Sequence, residues 1–133
     1  NARRPSSRAA PGVGLGAAAG PRAGEEEDMT ACFIVRAQVL DPMIEDAFDR
    51  WYGEEHLPDA AKAFGARRAW RGWSDSDASV HYAFYEFDDA ERARSITGSE
   101  ALARLVAEFD RAWGDKVRRS RDIVEAVQTV GAR

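Results

Sequence analysis

The chain has 133 residues, a formal net charge of −4 and a single cysteine, Cys32. That length holds one domain with a real core but not two, and the acidic balance disfavours nucleic acid as a partner. One cysteine excludes an intrachain disulfide and a cysteine-based zinc site and makes the cytoplasm the default compartment, while no apolar run approaches a membrane span.

Residues 1–28 are rich in Ala, Gly, Pro, Ser and Arg and close on the acidic run Glu25 to Asp28. Val13 and Leu15 are the large aliphatic residues there. Such a stretch cannot bury enough apolar surface to offset its ordering entropy, so it is expected to be a disordered N-terminal extension. Its Arg- and Ala-rich opening has some transit-peptide character but lacks the apolar region of a secretory signal. Met29 is a candidate natural start, and residues 29–133 are expected to form the domain.

Ala31 to Leu40 alternates as a strand, with Phe33, Val35, Ala37 and Val39 on one face and Cys32, Ile34, Arg36 and Gln38 on the other. The first face should pack on helices. The second, being mixed, suits a cavity wall or an interface. Asp41-Pro42 then opens a helix, with Asp41 as N-cap and Pro42 at the first helical position. Ile44, Phe48, Trp51, Tyr52 and Glu55 follow helical spacing. Gly53 is expected to loosen this helix, and Gly65 to end the unit.

Ala66 to Ser74 reads as a second strand, with Arg67, Ala69, Arg71 and Trp73 facing one way and Arg68, Trp70 and Gly72 the other. After a turn of Asp and Ser comes the third strand, Val80 to Phe87, with aromatics on both faces. Asp88 or Asp89 caps a helix through Ile96. Gly98 and Ser99 break and recap it before a helix striped by Leu102, Leu105, Val106, Phe109 and Trp113. Arg118, Arg119 and Arg121 read as a solvated entry to a last strand, Arg121 to Val130.

The order β-α-β-β-α-β closes most simply as an α+β fold: a four-stranded antiparallel sheet with the helices on one face. Its other face would carry Ile34, a tryptophan of the second strand and the aromatics of the third. That is an apolar area best covered by a second copy, sheet face to sheet face.

The stretch that carries chemistry runs from Phe48 to Pro58. Tyr52 and His56 are four apart and share a helix face if the helix continues through Gly53, and Glu55 is adjacent. Histidine, phenol and carboxylate form a workable acid–base set. The plainer reading is that His56 caps the helix before Pro58 while Trp51 and Tyr52 are core. His81, beside a turn, reads as structural or solvated. Two histidines and one cysteine offer no histidine-rich metal site, and the spacing does not support a mixed site of His56 with carboxylates, so no metal is expected; no cofactor is expected either.

Phe48, Trp51, Tyr52, Glu55, His56 and Pro58, followed by Gly65 and Arg68, resemble the signature of the EthD-type proteins of the dimeric α/β-barrel superfamily. The element order from Ala31 to Val130 fits the same resemblance. It implies a ferredoxin-like subunit, sheets paired across a homodimer, and a pocket between sheet and first helix. Relatives include cofactor-free monooxygenases, lactone isomerases and polyketide cyclases or dehydratases. Carried over by position, His56 would be the acid–base group, with Tyr52 and Glu55 supporting it.

Two readings follow. In the first, an enzyme acts on an aromatic or polyketide-like small molecule. Arg36, Gln38 or Arg71 would bind an oxyanion or carboxylate, and Trp51, Trp73, Tyr82 and Phe84 would wall a planar ligand. In the second, a non-catalytic binding or accessory protein of the same fold uses the same pocket. A haem- or metal-binding relative, with His56 or His81 as ligand, is a third option.

Overall fold

A computed structural model describes residues 30–131. The extension at residues 1–28 lies outside them. Strand β1 is Ala31–Val39, and a 3-10 turn follows at Pro42–Ile44, where the Asp41 carboxylate accepts the Met43 N–H at 2.9 Å. Helix α1 is Glu45–Trp51, a π turn covers Tyr52–His56, and helix α2 is Leu57–Phe64. Gly65, at φ 68°, supplies the left-handed residue that ends α2. Strands β2 (Arg68–Trp73) and β3 (Val80–Phe87) form a hairpin. Helix α3 is Ala90–Thr97, capped by Asp89, and α4 is Glu100–Trp113, capped by Ser99. Strand β4 is Val117–Glu125.

The four strands form one antiparallel sheet in the order β2-β3-β1-β4, the ferredoxin-like arrangement. Phe33 stands between Tyr85 on β3 and Ile123 on β4; Val35 stands between Ala83 and Arg121. Helices cover the face that carries Phe33, Ala37, Ala83, Tyr85 and Phe87, all buried, and Phe48, Phe64, Leu105 and Phe109 close the core from the helix side. The opposite face carries Ile34, Arg36, Gln38, Tyr82, Phe84 and Trp70, with no layer over it among the described residues. There Trp70 stacks on Phe84 at 5.3 Å, and Phe84 on Tyr82 at 6.2 Å.

The π turn has a physical reason. The buried residues of the first helical unit, Phe48, Tyr52, His56, Ala60 and Phe64, recur at steps of four. On a regular α-helix a four-residue step overshoots a full turn by about 40°, so the repeat would drift about 160° and reach the far side. The π turn absorbs one extra residue and takes back about 100° of that drift. Gly53 sits inside it, and a side-chain carbon there would come within 2.8 Å of the Arg71 guanidinium.

The last strand differs from the expected Arg121 to Val130. It begins at Val117 and stops at Glu125, and Val127 and Val130 are 86% and 72% exposed beyond it. Within the basic run Arg118 and Arg121 are exposed, as expected, and Arg119 is half-buried. Arg119 and Arg121 share the helix-covered face with Val117 and Ile123, and there the Arg119 head lies over Phe109 and reaches Asp110.

Candidate functional site

Between the sheet and helices α2 and α4 lies a cavity of about 30 Å³. Its apolar wall includes Phe33, Val35, Leu102, Leu105, Val106 and Phe109; its polar wall is Tyr52, His56, Tyr85, Arg119 and Arg121. His56 is only 9% exposed. Its ring stacks on Trp51 at 4.7 Å and 18°, and meets Tyr52 edge-on at 4.8 Å. Burial pushes its pKa down to about 4, with the Arg119 charge adding to the depression and Asp59 and Glu108 opposing it. The imidazole is therefore neutral at pH 7.

Tyr52 and Tyr85 line the same cavity, and each phenol influences the proton affinity of the other. Burial pushes Tyr52 up to about 12, and burial together with Tyr52 lifts Tyr85 well above the usual phenol value, so both remain protonated donors. Arg119 lies over the Phe109 ring at 4.1 Å and donates to Asp110 Oδ1 at 2.7 Å.

On the other side of Tyr52 lies a second polar cluster, half-buried at Asp49, Arg71 and Trp73 and fully buried at His81. Asp49 Oδ1 accepts from Arg71 Nη1 and from Trp73 Nε1, each at 2.9 Å. These two bonds, Trp73 first, hold the Asp49 carboxyl below its ordinary pKa. Arg71 Nη1 also lies 3.2 Å from His81 Nε2. A guanidinium only donates, so Nε2 is the acceptor and the proton of neutral His81 is on Nδ1. That Nδ1 is buried without a protein partner among the described residues. Burial first, then Arg71, pushes the His81 pKa down to about 4. The His81 ring lies 4.4 Å from that of Tyr52, so the cluster supports the phenol from behind.

The residues singled out from sequence therefore fall into separate places. Tyr52 and His56 come together at the cavity, and Trp51 stacks on the His56 ring. Arg71 and Trp73 meet in the supporting cluster around Asp49. Glu55 is exposed on the π turn and makes no ion pair among the described residues. Arg36, Gln38, Tyr82 and Phe84 lie on the uncovered face, across the sheet from His56, because strand alternation separates them from Phe33 and Val35. Of the two readings of His81, structural or solvated, the structure supports the first: it stands on β3 and is fully buried.

Tyr85, Arg119 and Arg121 enter the site without having been singled out. The signal for Tyr85 was strand parity: it shares the face of His81 and Ala83. For the arginines it was alternation with Val117 and Ile123. Among the described residues no group of three His, Cys, Asp or Glu could hold a metal ion, and no helix is long and apolar enough to cross a membrane.

No family model and no curated protein matches this sequence. Solved structures do match. An EthD (ethyl tert-butyl ether D) family protein from Bacillus halodurans superposes with a TM-score of 0.59 at 18% identity, covering 74% of this chain and 100% of that one. A variant of SnoaB, a cofactor-independent oxygenase from Streptomyces nogalater, gives 0.53 at 16% identity, covering 77% and 98%. A NIPSNAP family protein of unknown function from Agrobacterium tumefaciens gives 0.53 at 14%, covering 77% and 93%. At these identities the likeness is one of fold.

Proposed function

We propose, from a fold shared with EthD-type proteins of the dimeric α/β-barrel superfamily, that this chain is a small-molecule enzyme of the cofactor-independent type acting in the sheet–helix cavity. The observation that carries the reading is the convergence of a neutral imidazole, two protonated phenols and a guanidinium on one cavity. In this reading His56 takes a proton from an acidic O–H or C–H of the substrate. The electron pair left behind settles on an enolate or phenolate oxygen. Tyr52 or Tyr85 donates a hydrogen bond to that oxygen, and Arg119 faces its charge. Returning the proton at another carbon completes an isomerisation; in a dehydration the enolate expels a β-hydroxyl, which takes the proton from His56 and leaves as water. Trp51 fixes the imidazole plane.

A base held near pKa 4 needs an acidic substrate, so phenols and 1,3-dicarbonyl compounds of aromatic or polyketide type are the class to assay. Product formation by the wild type, His56→Asn and Tyr52→Phe is the test. His56→Asn is expected to lose about 10²–10⁴-fold in kcat, the range of general base catalysis. Undiminished turnover in that variant would remove His56 from the chemistry.

A second reading, a non-catalytic binding or accessory protein, draws support from the cavity volume of about 30 Å³, close to the scale of bound water. Ligand binding without turnover in the same assay selects it. The proposal includes a cytoplasmic homodimer joined through the uncovered sheet faces, where Trp70 is 39% exposed.

A further inference from the structure

We infer that the ligand of this site is an anion, an apolar molecule bearing a carboxylate or acidic enol at one end, and that Arg121 selects it. The inference rests on the proposed use of the sheet–helix cavity as a small-molecule site. The cavity of about 30 Å³ does not stand alone: a groove of about 470 Å³ runs between α3 and β4, and the two share Phe33 and Arg121 as lining residues. The groove's other walls include Ala90, Arg94, Thr97 and Ile123.

The volumes divide the ligand. The groove falls within the roughly 300–1,000 Å³ of small-molecule sites and accepts a ring system. The inner cavity has room for a functional group but not for a ring. A ligand that uses both lays its body along Ile123 and Arg94 and passes one end beside Arg121 toward His56 and the two phenols.

Charge decides which end goes in. The inner cavity is lined by Arg119 and Arg121 and by no carboxylate. Arg119 is matched by Asp110 at 2.7 Å. Among the described residues no carboxylate pairs with Arg121 or with Arg94. The groove's own acids, Asp122 and Glu125, pair with neither guanidinium, and Asp122 Oδ1 accepts the Ile123 N–H at 2.9 Å. Arg121 thus stands at the junction of the two spaces with an unspent fork of donors, the geometry that suits a carboxylate or enolate.

The test compares 2-naphthoate with 2-naphthamide, which share a ring and differ in charge, by titration calorimetry on the full chain and on Arg121→Gln. Melting curves of both proteins establish that the variant is folded. The wild type is expected to bind naphthoate at least about tenfold more tightly than the amide, as one charge-assisted contact provides. Arg121→Gln should erase that difference by weakening naphthoate alone. Equal wild-type affinities, or a preference that survives in Arg121→Gln, overturn anion selection and leave the cavity standing as a binding site. Binding of neither compound overturns both.

Discussion

Between pH 7 and pH 5 the protein should lose stability through its two buried histidines, and the size of the loss follows from their surroundings. His56 and His81 both have folded pKa values pushed down to about 4 from an ordinary 6.5, in each case chiefly by burial. A depressed value means that the unfolded chain takes the proton first. The stability of the neutral form is complete above about pH 6.5 and drains as the pH falls toward 4. Each histidine then contributes a loss of about 2 kcal/mol by pH 5, a large part of the ~5–15 kcal/mol of a typical domain. For His81 the cause is also visible in its bonding: its free lone pair accepts from Arg71, and protonation there sets cation against cation. The lowered carboxyls of Asp49 and Asp77 act only below their ordinary value of 3.8, outside this window. Urea unfolding at pH 7, 6 and 5, at one protein concentration, measures the slope. His56→Gln and His81→Gln should each show about half of it. A wild-type midpoint that stays flat from pH 7 to pH 5 refutes the reasoning.

Gly53→Ala should cost about 1 kcal/mol despite alanine's better helix propensity, because the new carbon meets the Arg71 guanidinium at 2.8 Å and pushes it off Asp49. A double-mutant cycle with Arg71→Ala should show the two changes to be strongly non-additive. Phe109→Ala, which empties the ring packed on Trp51, Phe48 and His56 and lying under Arg119, is expected to cost ~3–5 kcal/mol in denaturant unfolding. Trp70→Glu with Phe84→Glu should convert the proposed dimer to a monomer in sedimentation, while circular dichroism stays unchanged; a wild type that sediments as a monomer removes the dimer.

The first strand was legible to within one residue, ending at Val39 where Leu40 was expected, because its apolar positions alternate without interruption, and with it the face that meets the helices. The last strand was not, because its buried face is written partly in arginine. A reading by hydrophobicity slides the strand toward Val127 and Val130, which lie in the open. The same cause hid Arg119 and Arg121 from the candidate site. Tyr52 and His56 were readable as a pair because the spacing that joins them is local. Tyr85 joins them through sheet pairing with Phe33, a contact that no local pattern announces. Arg36 and Gln38 were correctly set apart from Phe33 by parity; their mixed face suits a cavity wall or an interface, and the cavity lies on the apolar face.

The π turn gives this chain an arithmetic that outlasts its particular side chains. Five inward positions at equal steps of four, with glycine directly after the second, cannot be laid on an unbroken α-helix. The count calls for one widened turn somewhere in the stretch, and the structure places it at Tyr52–His56, around Gly53. Deleting one residue between Tyr52 and His56 would leave composition almost untouched and rotate everything downstream by about 100°. In a distant homologue whose histidine has become something else, that miscount against 3.6 is the trace to look for.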